Sequence, residues 1–514
     1  MKHMKLMLIS IAAFTTLLFA QGAGSGPDYG MGMGLGAVTI DGEIYNQIAL
    51  RPEVALGKLG VGLDLVIYLN AQGDIRADEW NEAQDILDKI LYLRWGQPGD
   101  KLFARYGTLD NVTIGYGILI KNYSNMEEFP AVRQVGAHFG ATLPMGPLGV
   151  GFEGFAANIK EFNGGPGLMS VRATTNLGKL KFGATYATDG NQYLGLSDRD
   201  GDGYPDFADD FPDADSLYID SDGDGITDAD DRDADGDNIT DVIYANEIPG
   251  WTGGDILLDP SVLLKGEPLN INDTKKSISA ISFDVGYPVI EKGPFTMMAA
   301  VEFSKFLGDH VNVLSNDTIS HGWGFAPGIH GKIMKMVHYD LEYRQSSENF
   351  AFGFFDRNYD LQRVMVREDS NGDPLAYTKD MGYLETPALK GIYGGLSANI
   401  ANFLTITGSY LDMRQDTIAV KGVTASIGLA ENSLPKLKEA KAYFERMNRE
   451  DPFNFVAEGS ILGYRAAFEL GGGVILAYDF KQSYRDVNGD GEIDTSKNSD
   501  EVIAITSIET GFTF

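Results

Sequence analysis

Residues 502–514 read Val-Ile-Ala-Ile-Thr-Ser-Ile-Glu-Thr-Gly-Phe-Thr-Phe. In an extended chain, Val502, Ala504, Thr506, Ile508, Thr510, Phe512 and Phe514 share one face, and Ile505, Ser507, Glu509, Gly511 and Thr513 share the other. A period of two marks a β-strand with two unlike faces. The sequence stops inside this strand, on an aromatic residue.

The same pattern recurs upstream. Val337, Tyr339, Leu341 and Tyr343 alternate with His338, Asp340, Glu342 and Arg344, and Tyr464, Ala466, Phe468 and Leu470 with Arg465, Ala467 and Glu469. Leu63–Leu69, Leu148–Phe152, Ile281–Tyr287 and Val474–Phe480 set apolar runs against Asp64, Glu153, Asp284 and Asp479 in the same way. Gly, Pro, Asn or Asp flank nearly all these runs. A soluble β-sandwich alternates too, so alternation alone leaves the fold open. Length decides more: the runs approach the ~9–11 residues of a tilted membrane strand. Tyr and Phe recur near strand ends, where interfacial girdles would lie. The closing strand with its terminal Phe514 resembles the assembly signal of bacterial outer-membrane β-barrel proteins. That resemblance implies an all-β fold, a transmembrane antiparallel β-barrel of about sixteen strands (roughly 14–20). It also implies outer-membrane lipid as surroundings and the barrel-assembly machinery as a partner during biogenesis. A secreted soluble all-β protein is the rival expectation.

Composition agrees. The 514 residues carry 41 Lys and Arg against 73 Asp and Glu, a net charge of −32, with 28 Phe, 24 Tyr and 63 Gly. Such acidity excludes nucleic acid as a partner. The absence of Cys excludes disulfides and thiolate chemistry, and six His leave little room for a His-rich zinc cluster. Lys2, His3 and Lys5 precede the apolar run Leu6–Phe19, and Ala20 precedes Gln21, so residues 1–20 read as a signal peptide. The remaining chain divides into residues 21–196 as a first part of the barrel, 197–262 as an Asp-rich insertion, and 263–514 as a second part.

Hairpin logic assigns short turns to Pro144–Leu148, Leu177–Lys179, Lys292–Phe295, Gly331–Met334, Ala401–Phe403 and Gly471–Gly473. Long connections fall near 190–274, 307–320, 346–388 and 484–500. Parity fails once, between the strands 418–429 and 459–470, which both should run inward. Ser433–Glu450 lies between them and reads as a helix, with Ser433 as N-cap, Pro435 in the first turn, and Leu437, Ala440, Phe444 and Met447 at helical spacing. A helix returning through the lumen restores the parity; a helix on an outer loop, with one strand miscounted, is the alternative. Asp78–Asp88 reads as a second short helix.

The insertion holds the sharpest chemistry. Asp198, Asp200, Asp202 and Asp206 occupy positions 1, 3, 5 and 9 of a unit. Asp220, Asp222, Asp224 and Asp228 repeat it, and Asp233, Asp235, Asp237 and Asp241 repeat it again. Gly203, Gly225 and Asn238 stand sixth, where a left-handed turn closes such a loop. Asp209 and Asp231 suit the twelfth, bidentate position; the third unit has Tyr244 there. The segment resembles thrombospondin type 3 calcium repeats, and the resemblance implies Ca²⁺ bound by these carboxylates in a compact, helix-free array. Residues 198–241 hold eighteen Asp and two Arg, which is half of the net charge of the chain. Like charges so dense repel unless cations neutralise them. Asp486, Asn488, Asp490 and Asp494 form a fourth copy with Gly491 in the sixth place, although Lys497 stands twelfth. Asp369, Asn371 and Asp373 begin a fifth, where Pro374 argues for a plain turn.

No nucleophile elbow, zinc-protease helix or phosphate loop is present, so the chain does not read as an enzyme. The expected function is a porin-like outer-membrane channel for small solutes, its calcium-stabilised loop facing outside the cell. On the inferred inner faces, Asp64, Glu153, Asp284, Asp340, Glu342, Asp479 and Glu509 mix with Arg94, Arg172, Arg344 and Arg465. The alternative is a surface adhesin or anchor in which the barrel displays the calcium module to a surface ligand.

Overall fold

The computed structural model describes residues 28–40, 43–76, 89–127, 133–145, 148–163, 166–243, 256–257, 262–311, 318–334, 336–368, 374–384, 386–401, 403–429, 434–449, 451–471, 474–487, 490–496, 499 and 501–512. β1 (Asp28–Ile40) and β2 (Glu43–Leu56) open the fold as a hairpin. β3 (Leu59–Leu63) and β4 (Leu65–Leu69) both pair with β2, as one run interrupted at Asp64. β5 (Ile90–Trp95) and β6 (Leu102–Gly107) follow, then a separate small hairpin of β7 (Val112–Ile114) and β8 (Ile120–Tyr123). β9 (Gly136–Met145), β10 (Leu148–Ala156), β11 (Leu168–Leu177) and β12 (Leu180–Asp189) return to the sheet. A long excursion carrying β13 (Val242–Ile243) and β14 (Ile256–Leu257) leads to β15 (Ile278–Ile290) and β16 (Phe295–Leu307). The hairpin of β17 (Asp309–Val311) and β18 (Thr318–Ser320) precedes β19 (Trp323–Ile333) and β20 (Val337–Ser346). A second excursion holds β21 (Val364–Glu368) and β22 (Pro374–Thr378). The chain then meanders through β23 (Lys390–Ile400), β24 (Leu404–Gln415), β25 (Ile418–Leu429), β26 (Leu437–Arg449), β27 (Ile461–Gly471), β28 (Val474–Tyr484) and β29 (Val502–Phe512).

All but four of the hairpin pairs join one antiparallel sheet of 21 strands, or twenty with β3 and β4 taken together. Its first strand pairs with β2 on one side and with the last strand on the other, Ala37 opposite Ile508. Because neighbours are antiparallel, successive connections alternate between two ends of the sheet. The connections at 57–58, 96–101, 146–147, 178–179, 291–294, 334–336, 401–403, 430–436 and 472–473 leave from one end. Those at 70–89, 108–135, 157–167, 190–277, 308–322, 347–389, 450–460 and 485–501 leave from the other. Every long excursion therefore rises from the same end.

Within the expected helix at 433–450, Leu437–Arg449 form a strand. β26 pairs with β25 and β27, and this strand, not a helix, restores the parity. Its Leu, Ala, Lys and Glu are good helix formers, and the apolar residues happen to fall at helical spacing. Two neighbouring strands with open edges outweigh that weak local preference. The expected helix at 78–88, the signal peptide 1–20 and the final residues Thr513 and Phe514 lie outside the described residues. Among the described residues, no helix is long and apolar enough to cross a membrane.

The polarity of the strands is inverted relative to a water-soluble protein. On β20, Glu342 and Arg344 are 2% and 1% exposed, while Leu341 and Tyr343 between them are 52% and 45% exposed. β15 repeats this, with Ser282 and Asp284 buried and Phe283 and Tyr287 exposed. The same exposed face carries Val171, Ile392, Leu396, Ile427, Phe468 and Ile508. The main apolar cluster lies on the other side, on the buried face, and is built largely from the connections 108–123 and 350–359.

Candidate functional site

Two excursions meet over the buried face. Lys121 donates its N–H to the Phe355 carbonyl (3.2 Å), Phe355 to that of Leu119 (3.0 Å), and Gly353 to that of Ile118 (2.7 Å). The Phe350, Phe352, Phe354, Phe355 and Tyr359 rings stack edge to face around this seam. Buried hydroxyls finish it: Tyr123 donates to Asp360 (2.7 Å) and Tyr359 to Asp189 (2.8 Å). The wall makes room for the 108–127 excursion at Gly286, where an added Cβ would stand 2.1 Å from the Tyr116 hydroxyl. Glu302 of β16 holds the tip, accepting the N–H groups of Tyr116 (2.9 Å) and Ile118 (3.4 Å).

Most of the expected inner-face charges are paired. Asp64 accepts from Arg51 (2.8 Å) and Arg133 (3.0 Å), and Arg172 grips Asp284 in a bidentate fork (2.6 and 3.0 Å). Glu153 meets His138, Asp340 meets His330, Glu342 meets Arg344, and Arg465 bridges Glu439 and Asp479. A cavity of roughly 480 Å³ remains between the wall and the inserted excursions. Arg51, Arg357, Lys441, Arg465 and Lys481 line it together with Asp64, Asp110, Glu127, Glu439 and Asp479. Glu127 is among its lining residues, bound by Arg357 and Lys481. Burial alone would raise the Glu127 carboxyl; Lys481 and Arg357 outweigh it and hold the group below the usual carboxylate range.

The Asp-rich units share one hydrogen-bond scheme. In the first, Asp198 accepts from Gly201 (2.9 Å) and Gly203 (3.1 Å), Asp200 from Asp202, and Asp202 from Tyr204. Asp206 turns away, accepting from the backbone of Arg199 and the Ser197 hydroxyl. The second unit repeats the backbone bonds with Asp220, Asp222, Asp224 and Asp228, and the hydroxyl on Asp228 comes from Ser221. The third repeats the pattern with Asp233, Asp235, Asp237 and Asp241. Positions four and six need positive φ: Gly201, Gly203, Gly223, Gly225, Gly236 and Asn238 supply it. The result brings together Asp198, Asp200 and Asp202; Asp220, Asp222 and Asp224; and Asp233, Asp235 and Asp241, each set with oxygens within 4.8 Å of one another. Burial first, and then the charges of Asp202 and Asp200, raise both Asp198 and Asp209 above the ordinary carboxylate value. Asp209 is buried, with Oδ2 lacking a hydrogen bond. Asp231 accepts the N–H of Asp233, at the junction of units two and three. Lys265, from the returning chain, binds Asp210 and the Asp220 carbonyl.

The fourth unit follows the scheme in part. Asp486 accepts from Gly491 and Asp490 from Glu492, but Asp494 accepts from Ser496 instead of closing the loop. Buried Glu501 takes that place, accepting the N–H groups of Val487 (3.1 Å) and Asp494 (2.7 Å). Glu501 stands beyond any repeat spacing, so the sequence offers no signal for it. Asn488 and Asp369–Asp373 lie outside the described residues.

No family model matches the chain, and no curated protein matches it. Among solved structures it is similar to the copper transporter OprC (TM-score 0.35, 9% identity, 96% of this chain and 82% of that one). It is also similar to Pseudomonas aeruginosa OccK2 (TM-score 0.32, 7% identity, 95% and 96% covered). The outer membrane protein OprD of the same organism gives a TM-score of 0.28 at 8% identity, with 96% and 95% covered. At these scores the likeness carries no argument about what this chain transports or binds.

Sequence reading missed the inward excursions. Their apolar residues look locally like strand residues, and only contacts between distant parts of the chain, such as Tyr123 with Asp360, reveal where they pack.

Proposed function

We propose that the chain is an outer-membrane β-barrel channel of twenty strands, closed by β1 against β29, admitting small polar solutes through a narrow passage of mixed charge. The inverted polarity of the strands carries this reading. A band of Leu, Ile, Phe, Tyr and Val faces outward while Arg344, Glu342, Asp284 and Asp64 are buried, which only a lipid-facing wall makes favourable. The polar cavity beside Glu127 supports the passage, and the packed excursions narrow it. Opposed charges along such a constriction set ion selectivity. Folded protein should migrate faster unheated than boiled in detergent gels, and reconstitution in planar bilayers should give discrete conductance steps. Heat-modifiable migration without conductance would favour the adhesin or anchor reading.

The Asp-rich excursion is proposed to bind Ca²⁺ on the side facing out of the cell. The support is the threefold recurrence of one loop geometry, with carboxylate sets whose repulsion a divalent ion would relieve. Asp198, Asp200, Asp202 and Asp209 would hold the first ion, and Asp220, Asp222, Asp224 and Asp231 the second. Asp233, Asp235 and Asp241 would hold a third.

A further inference from the structure

Three excursions from the long-connection end converge on a cluster of a different donor chemistry. His310 lies on β17 and His321 just after β18, and Asp380 follows β22. One ligand atom from each lies within 4.8 Å of the other two. His310 and Asp380 are 2% and 3% exposed, and His321 is half-buried. His310 Nδ1 stands 2.7 Å from Asp380 Oδ2. That contact occupies Nδ1 and Oδ2, but the other ring nitrogen, His310 Nε2, is buried without a hydrogen bond. A buried ring nitrogen left without a partner is costly, unless something absent from the polypeptide satisfies it.

The surroundings are built for a ligand. Asp380 Oδ1 accepts from the Thr378 hydroxyl (2.6 Å) and from the Gln192 amide (3.0 Å), which fixes the carboxylate with Oδ2 turned toward His310. Gln192 is fully buried, and its Oε1 also lacks a hydrogen bond. Such outer hydrogen bonds orient the carboxylates that hold metal ions. Phe306 packs on His321, giving the site one apolar wall. Lys276, whose carbonyl accepts the Gln192 N–H, is the nearby cation, with Asp309 as a further anion.

We infer that His310, His321 and Asp380 form a binding site for a divalent transition-metal ion of the zinc class, distinct from the calcium repeats. Two imidazoles and one carboxylate suit Zn²⁺, Co²⁺, Ni²⁺ or Cu²⁺, whereas Ca²⁺ and Mg²⁺ take oxygen donors. Three protein ligands leave a fourth position open to water or to Gln192 Oε1. The ion ties the β17–β18 hairpin to the end of β22 and, through Gln192, to the root of the Asp-rich excursion. It is a clamp on the long-connection end.

The test uses the full chain, purified in detergent without a polyhistidine tag, stripped with EDTA and returned to millimolar calcium. Titration with Co²⁺ should produce a visible d–d band that saturates near one equivalent and is bleached by Zn²⁺. His321→Gln should weaken Co²⁺ binding by about tenfold or more, and Thr378→Val, which only frees the carboxylate, by about tenfold. Asp222→Asn with Asp224→Asn should leave the Co²⁺ band intact. His310→Ala should abolish the band; if that variant fails to assemble, His321→Gln on the half-buried side of the site decides. Wild-type Co²⁺ binding in His321→Gln, or loss of the band in the Asp222/Asp224 variant, would overturn the inference.

Discussion

The Tyr116 N–H donates to Glu302 Oε2 at 2.9 Å, joining the tip of the 108–127 excursion to strand β16. Ile118 donates to the same oxygen, and Ser282 donates to Oε1 at 2.6 Å, so one buried carboxylate secures the excursion against the wall. A typical hydrogen bond contributes about 0.5–1.5 kcal/mol net. Glu302→Ala should loosen the excursion without removing the sheet. Single-channel recordings should show a larger or noisier conductance, with folded migration in gels unchanged. Wild-type conductance and noise in this variant would mean that the excursion is held elsewhere.

Glu127 makes the passage sensitive to acid. Its folded pKa is lower than that of an unfolded Glu, about 4.3. The stabilisation is therefore fully present above that value and is lost as pH falls through the folded pKa. As pH falls through that depressed folded value, the Arg357–Glu127–Lys481 bridge should release and the conductance should change. Glu127→Gln should show the altered state already at neutral pH, because Arg357 and Lys481, both partly buried, then lose the carboxylate between them, and Arg357 keeps Asp110 as an acidic partner. Identical acid responses in wild type and Glu127→Gln would remove Glu127 from the proposed passage.

How much of this was legible in the sequence depends on range. Alternation over Val337–Arg344 identified both faces of β20, because a strand writes its environment residue by residue. The repeat scheme from Asp198 to Asp241 was legible because each bond spans fewer than ten residues. The meeting of Phe355 with Leu119 and the approach of His310 to Asp380 depend on pairings between distant segments that no local spacing encodes. Glu501 is near in sequence but stands outside the repeat spacing. β26 was misread for the opposite reason: its local preference is clear and is overruled by its neighbours.

The exposed face of β29 should tolerate no charge. Ile508 is 47% exposed and stands opposite Tyr478 on β28 and Ala37 on β1. A Lys on a lipid-facing strand costs ~2–4 kcal/mol near the membrane midplane. Ile508→Lys should reduce the fraction of heat-modifiable protein in outer-membrane preparations, while Ile508→Val should not. Equal assembly of both variants would argue that this face does not meet lipid.

Calcium dependence should localise to the Asp-rich excursion. Protease added to intact cells should cut within 198–241 after EGTA and spare it in millimolar calcium, with the strands resistant in both conditions. Asp222→Asn with Asp224→Asn should make the second unit cleavable even with calcium present. Equal cleavage of wild type in both conditions would remove calcium from the account, and protection in both would place the excursion on the inner side.

β26 offers the sharpest test of the fold, because a strand and a helix over 437–449 make opposite labelling patterns. The chain has no Cys, so single cysteines can be read without background. Glu439, Lys441 and Tyr443 line the polar cavity, and Glu439 accepts from Arg465 at 2.9 Å. Ala440 and Ala442 point to the other face by the alternation of the ladder. Cysteines at 439, 441 and 443 should react with a small water-soluble, membrane-impermeant thiol reagent that enters the lumen. Those at 440 and 442 should be protected by lipid or detergent. A helix would instead group 439, 442 and 443 on one side. Reactivity rising and falling every second residue supports the strand, and a three-to-four-residue rhythm would return this segment to a helix and reopen the strand count.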